Sequence, residues 1–422
     1  MMIQAFYTGV SGLKAGQTAI DVTANNISNI STTGYRAYRT EFSNLFEDAL
    51  VSDGGSSINH STIGAGTKVQ TNSMVVKDGS YSISERSTDV AIEGDGWFGV
   101  LGPFGEEYTR AGNFTFDKNS GLVTPNGNYV LGTMGNNIDY ETNTLTNTLN
   151  EVSLGDVTES EILRFPQELT YPGEASTFAK FYGGLDINEE NQATLGADVI
   201  DSNGDKNYLN LTFSKSENQP TEGSLWDVVA TVKSLDGKTI YDTKNGTINF
   251  DENGALTSSS LTTINNNGSE VDIDLGSGYN GVVVSSNATV NASSSSDGTI
   301  KGELSGYDIN RNAEVVAIFS NGVQSSVGQI AVYHFQNNQG LERSGNANFK
   351  PTSNSGDPFI MKDADGQNIV GANVMTYRLE NSNVAIEESL TQLIILQRSY
   401  DANSKSVTTA DQMMQKALEM DA

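Results

Sequence analysis

The sequence predicts a mainly β protein with α-helical ends, in which the N- and C-terminal helices pair as a coiled-coil-like inner domain and two nested all-β domains lie between them. Three observations predict it. Apolar residues recur every seven positions at both ends. Between the ends, period-two strands alternate with turn signals spaced about eight to twelve residues apart. The chain holds 43 Gly against 7 Pro, and the first Pro is Pro103, which suits many tight turns and leaves the first helix unbroken.

At the N-terminus a heptad count puts Ile3, Val10, Gln17 and Ala24 on one line and Phe6, Leu13, Ile20 and Ile27 on the next, so seven of eight seam positions are apolar. The C-terminal counterpart is Ile386, Leu390, Leu393, Tyr400, Val407, Met414 and Leu418. At about 1.5 Å per residue the two segments run about 40 Å and 55 Å. Helices of that length with one apolar seam each need each other or neighbouring copies of the chain. Self-assembly, not catalysis, is therefore the first functional expectation. Gln397, Ser404 and Asp411 interrupt the C-terminal seam; they either set the register of neighbouring helices or face a water-filled space.

The first helix should stop near Asn29, where Asn25, Asn26, Ser28, Asn29, Ser31, Thr32, Thr33 and Gly34 crowd together. Residues 1–32 and 383–422 then make the terminal helical domain. Residues 33–70 read as a connector, with a short helix over Phe42, Leu45, Phe46 and Leu50 that Gly54, Gly55, Gly64 and Gly66 end. Residues 71–150 and 300–375 form an inner β domain and 151–299 an inserted outer one. Val90–Ile92, Trp97–Val100, Asn113–Phe116, Tyr129–Leu131, Val315–Ile318 and Gln329–Phe335 read as strands. The pairs Asp78-Gly79, Asn126-Gly127, Asp236-Gly237, Asn245-Gly246, Asn253-Gly254 and Asn321-Gly322 read as hairpin turns. Asn381, Ser382 and Asn383 cap the last helix, and Glu387 and Glu388 favour its N-terminal dipole.

The formal charge of −28 argues against binding nucleic acid or an anionic membrane surface. Most of the acid lies in the insertion, where residues 151–300 carry 23 Asp or Glu against 7 Lys or Arg. There is no Cys, so disulfides and thiolate chemistry are excluded. No stretch approaches the roughly 20 apolar residues that span a bilayer. No Lys or Arg precedes Lys14, so the expectation is export without a cleaved signal peptide.

The motifs with chemical meaning read as structure. Gly94-Asp95-Gly96-Trp97-Phe98-Gly99 matches GxGxxG, but Val100-Leu101-Gly102-Pro103 follows where a dinucleotide site needs a helix, so a β turn is expected. Asp201-Ser202-Asn203-Gly204-Asp205 opens like a calcium loop yet has Thr212 at its twelfth position, and reads as a hairpin turn. His60 and His334 are the two histidines, and nothing around either supports catalysis. No catalytic, cofactor or metal residue is expected.

Joint motifs carry a resemblance. Ala24–Asn29 followed by Thr33-Gly34-Tyr35-Arg36, then Asp89–Phe98, Tyr108–Phe114, Gly328–Ala331 with Gly340-Leu341, and Gln397–Lys405 resemble, in order, the signatures of the flagellar rod and hook basal-body protein family. The departure at Trp97, usually Phe in that family, keeps an aromatic ring. The resemblance, with about 150 residues inserted in the inner β domain, implies a hook-type member: a subunit of a curved, hollow helical tube outside the cell that serves as a universal joint between rod and filament. A distal rod or rod–hook junction role with an enlarged insertion is the alternative. It further implies as partners the chain itself in many copies, the rod, the hook cap, hook–filament junction proteins and the flagellar export apparatus. The residues expected to carry subunit assembly are Ile3, Phe6, Val10, Leu13, Ile20, Asn25, Asn26, Ile27, Asn29, Ile386, Leu390, Leu393, Gln397, Arg398, Tyr400, Asn403, Val407 and Met414.

Overall fold

A computed structural model describes residues 2–45, 47–49, 62–64, 66–188, 192–286 and 292–420. Helix α1 spans Met2–Ser28 and helix α2 spans Ile386–Met420. They lie antiparallel: a Cβ on Gly9 would stand 2.7 Å from Val407, one on Gly12 2.7 Å from Asn403 and one on Gly16 3.9 Å from Tyr400. Small residues let the two backbones approach closely, and Ala15, Ala19 and Ala410 are buried beside them. No helix among the described residues is long and apolar enough to cross a membrane.

The connector is a strand, not a helix. Tyr38–Asn44 pairs antiparallel with Thr67–Met74, placing Phe42 opposite Val69. Tertiary pairing overrides the local apolar spacing there, and the ribbon lies along α1, where the Thr67 N–H reaches Ser11 Oγ at 3.3 Å. Phe46, Leu50 and His60 fall outside the described residues.

The inner β domain draws strands from both halves of the chain. Trp97–Gly102 pairs with Gly105–Thr109, with Tyr129–Met134 and with Val332–Tyr333, while Asn373–Thr376 pairs with Val90–Glu93 and Arg378–Glu380 with Tyr81–Ile83. Its core joins Ile92, Phe98, Phe114, Val130, Val315, Val327 and Val332. Leu163, Phe165, Leu169 and Tyr171 belong to this same core and Leu154 to the adjoining one, so the crossing to the outer domain comes some way after residue 151, between Tyr171 and Ala179. Alternating burial in 151–171 is too short-ranged for the sequence to place these residues.

The outer domain is two sheets over one core. One is a five-strand antiparallel meander from Ala193–Ile200 to Leu256–Ser259. Along Ser224–Ser234, Trp226, Val228, Ala230 and Val232 point inward with period two. The other sheet centres on Phe178–Asp186, which pairs in parallel with Ser269–Asp274 and Asn280–Ser285. Asn245-Gly246 makes no turn: it lies inside the strand Ile240–Phe250, where Gly246 passes so close to Leu261 that a Cβ would sit 2.9 Å from its neighbour. Asp236-Gly237, Asn253-Gly254 and Asn321-Gly322 do connect successive strands.

Candidate functional site: the helix pair and its charged junction

The N-terminal apolar line and the first part of the C-terminal one lie beside the helix contact, whereas Val407 and Tyr400 of the C-terminal line lie at it. At about 100° per residue, Phe6, Leu13 and Ile20 stand about an eighth to a quarter of a turn from the Gly9–Gly12–Gly16 line. Ile386, Leu390 and Leu393 are displaced by a comparable angle from Asn403 and Val407, and because the helices are antiparallel both lines open on the same flank of the pair. Val10 and Ile27 are half-buried and Gln17 and Ala24 exposed. On α2, Ile386 is 47% and Leu390 45% exposed. The opposite flank of α1 is covered by the Tyr38–Asn44 ribbon. Close packing through small residues thus replaces the large-residue seam that the heptad count suggests, and leaves that seam open.

The remaining expected assembly residues take several places. Asn403 and Val407 lie under the glycines of α1, with Tyr400 at the edge and Met414 half-buried further along. Gln397 and Arg398 are exposed, and Gln397, Ser404 and Asp411 follow the open flank. Ile3 is described as helical backbone only. Asn29 closes α1, its amide donating to Asn25 O at 2.9 Å, while Asn25 Oδ1 accepts from the Tyr35 hydroxyl at 3.1 Å. Asn26 has a more exacting position. Its Nδ2 donates to Tyr38 O at 2.7 Å and its Oδ1 accepts from Tyr38 N at 3.0 Å, so one side chain pairs with a strand residue as another strand would.

Where the helix pair meets the inner β domain, four charges that sequence reasoning did not group are brought together. Glu380 is fully buried and Arg110 1% exposed. Arg110 Nε donates to Glu380 Oε2 at 2.9 Å, and its other nitrogens reach Asp78 Oδ1 at 2.9 Å and the carbonyls of Ile92, Gly94 and Gly96 at 3.1, 2.9 and 2.7 Å. All five guanidinium donors are thereby used. Arg36 pairs with Glu380 at 2.8 Å and Asp78 at 3.1 Å. Burial pulls the Arg36 guanidinium below its ordinary pKa and the like charge of Arg110 adds to this, against Glu380 and Asp78. The charges balance pairwise, which a desolvated cluster requires.

The same junction holds both covalent connections. Gly34 N donates to Glu380 O at 2.8 Å. Asn383 does not cap α2: its Nδ2 donates to Val75 O at 2.8 Å and Lys77 O at 2.7 Å, and its Oδ1 accepts from Ala37 N at 2.7 Å. Gly34, Arg36, Gly94, Gly96 and Arg110 come from three of the sequence motifs, so those motifs converge on one place in space. The signal available beforehand was that Arg36 and Arg110 are cations inside Gly-rich motifs of an acidic chain.

The remaining motifs resolve as turns and braces. Gly94 and Gly96, at φ of +93° and +142°, turn the chain directly into the strand Trp97–Gly102 with no helix following. Asp201 Oδ1 accepts from the N–H groups of Asn203 and Asp205 at 2.9 Å each, and its Oδ2 from Asn267 at 2.7 Å, closing the turn between two strands. His334 is fully buried, with Nδ1 3.3 Å from Asp95 and Nε2 3.3 Å from Val370 O. The His334 contact, followed by Asn338, holds the Asp95 carboxyl below its ordinary value against burial.

Comparison with known proteins agrees with this architecture. Family models match in chain order: flagella basal body rod protein over residues 6–36, the flagellar hook protein FlgE/F/G D1 domain over 91–158, the flagellar basal body protein FlaE D2 domain over 184–357, and the flagellar basal body rod FlgEFG protein C-terminal region over 375–420. The flagellar hook protein FlgE of Brucella suis is 32% identical over 432 residues, covering 96% of each chain. That of Salmonella typhimurium is 28% identical, covering 97% of this chain and 98% of its own. That of Borreliella burgdorferi is 27% identical, covering 99% of this chain and all of its own. The chain with paired terminal helices, nested β domains and ordered motifs belongs to the flagellar hook protein FlgE family.

Proposed function

We propose that this chain is the structural subunit of a bacterial flagellar hook, without a catalytic role, polymerising into a curved hollow tube that joins rod to filament outside the cell. One observation supports it most: the N-terminal apolar line and the first part of the C-terminal one open on the same flank of the helix pair, and the fold of a single copy leaves Ile386 and Leu390 exposed and Phe6, Leu13, Ile20 and Leu393 only half-buried. Neighbouring helix pairs bury that flank, through Phe6, Leu13, Ile20, Ile27, Ile386, Leu390 and Leu393. A head-to-tail contact between unlike surfaces grows into an open helix where its rotation does not close a ring. The rod, the hook cap, hook–filament junction proteins and the export apparatus are the partners such a subunit meets.

The size of the insertion favours a hook over the rod alternative, since an outer sandwich with its own core adds a second shell around the tube. The test is electron microscopy of purified protein under polymerising conditions. The full chain forms curved tubes, and chains lacking 1–28 or 383–422 stay folded and monomeric. Tubes from either truncated chain contradict the reading, and straight rigid shafts from the full chain favour the rod alternative.

A further inference from the structure

The inner β domain carries one convex and one concave apolar feature that the helix pair does not use. The convex one is Phe104, 87% exposed at the tip of the hairpin joining Trp97–Gly102 to Gly105–Thr109. Gly105 at φ +113° makes the tight reversal possible. Lys350 Nζ stands 5.9 Å from the ring centroid. Beside the ring, Glu106 is exposed and meets one side-chain partner, the Tyr108 hydroxyl at 3.3 Å. Glu107, by contrast, is buried and occupied by Asn348 at 2.8 Å and Lys350 at 3.4 Å. The tip presents an aromatic ring and one available carboxylate.

The concave feature is a cleft of about 480 Å³ lined by Ile83, Val374, Met375, Tyr377, Arg311 and Arg378. Ile83 is 82% exposed there. Among the described residues neither arginine forms an ion pair. The nearby acids are engaged: Asp308 accepts from the Tyr377 hydroxyl at 3.2 Å and Glu93 from Asn373 at 2.5 Å. Two arginines beside Ile83, Val374 and Met375, in a chain with 52 acids and 24 basic residues, give this cleft the charge and apolar surface that suit an acidic, aromatic partner.

We propose that the Phe104 hairpin of one copy docks in the Ile83–Tyr377 cleft of the next, with Glu106 facing Arg311 and Arg378. The proposal rests on the polymer reading and adds a second contact, between β domains. An open helical assembly needs two different surfaces on one chain that fit each other. Here shape and charge are complementary: ring and carboxylate on the convex side, apolar floor and guanidinium groups on the concave side. A buried aromatic anchor framed by a charge pair is the pattern that carries most binding energy at interfaces.

The absence of Cys allows a direct test. Phe104→Cys and Ile83→Cys chains are prepared separately, copolymerised with the unaltered chain and treated with an oxidant. The expected product is a covalent dimer of one chain of each kind, absent when either variant is used alone. Polymers without that dimer overturn the contact, whereas failure of the unaltered chain to polymerise overturns the hook reading and this contact with it. Independently, Glu106→Arg and Arg378→Glu each raise the concentration required for polymerisation about tenfold, and combining them restores it. Losses that add in the double variant overturn the pairing.

Discussion

The subunit has two internal junctions, and they are built from opposite materials. Between the helix pair and the inner β domain, Arg36, Arg110, Asp78 and Glu380 are locked in a cluster in which Arg36, Arg110 and Glu380 are buried, and the Asn26 and Asn383 side chains pair with strand backbone on either side. Between the inner and outer β domains, two strands cross. They are tied by the Glu174–Thr299 bridge, by Asp297 accepting from the N–H groups of Thr177 and Phe178, and by the exposed Lys301–Asp205 pair at 2.7 Å. The hydrophobic cores on either side of this second junction are separate. A buried, fully satisfied network over-determines one geometry. The second connection is more exposed and so less constrained, although Ser176 within it is buried and its Oγ accepts from Ile200 N at 3.0 Å. The first junction is thus expected to hold the helices in one orientation, and the second to let the outer domain reorient.

Breaking the first junction has the largest effect. Glu380→Ala leaves two guanidinium groups in a buried site with one carboxylate, and is expected to cost about 3–5 kcal/mol, read as a fall in the chemical denaturation midpoint. Gly9→Ala and Gly16→Ala separate packing from propensity within the helix pair. The first drives a methyl into Val407 and should destabilise by about 1–3 kcal/mol. The second meets ordinary contact distances and gains helix propensity, so it is neutral or stabilises by up to about 1 kcal/mol. Asn26→Ala removes both bonds to Tyr38 and is expected to cost about 1–3 kcal/mol while leaving the outer domain's own melting unchanged.

The second junction answers to acid. Burial pushes the Asp297 carboxyl up, but the N–H groups of Phe178 and Thr177 and the Thr177 hydroxyl outweigh it and hold it below its ordinary value. A carboxyl with a depressed folded-state pKa contributes fully above its unfolded value of about 3.9 and loses that contribution as pH falls through the folded value. The thermal stability of the outer domain should fall on acidification from about pH 5 to about pH 3, and that of Asp297→Asn should fall less over the same interval. The smallest effect is expected at Lys301→Ala, which removes an exposed pair and leaves the denaturation midpoint unchanged.

The same contrast explains what the sequence disclosed. Terminal helices announce themselves because many residues repeat one period: the predicted end near Asn29 and start after Asn383 match Met2–Ser28 and Ile386–Met420. Hairpin turns such as Asn253-Gly254 are local and legible too. The face that α1 presents to α2 was not, because heptad counting follows large apolar side chains, whereas that face uses Gly9, Gly12 and Gly16, whose value is the volume they lack. The charged junction was equally hidden, since Arg36, Asp78, Arg110 and Glu380 are far apart in the chain and only the fold makes them neighbours. Asn245-Gly246 shows the converse: a local turn signal is cancelled by pairing with Val229 and Val228 of the neighbouring strand, with the Ser260–Leu261 segment packed on Gly246. The apolar helix at Phe42 gave way to pairing with Val69 for a similar reason.

In the assembled state neighbouring copies are expected to cover the open flank of the helix pair while the outer domain stays loosely connected. Hydrogen–deuterium exchange on the same protein before and after polymerisation tests it most directly. Protection is expected to rise in α1 around Phe6–Ile27 and in the first half of α2 around Ile386–Tyr400, with the charged junction protected in both states and the outer sandwich unchanged. Unchanged exchange along both helices, with new protection confined to the outer domain, would contradict it.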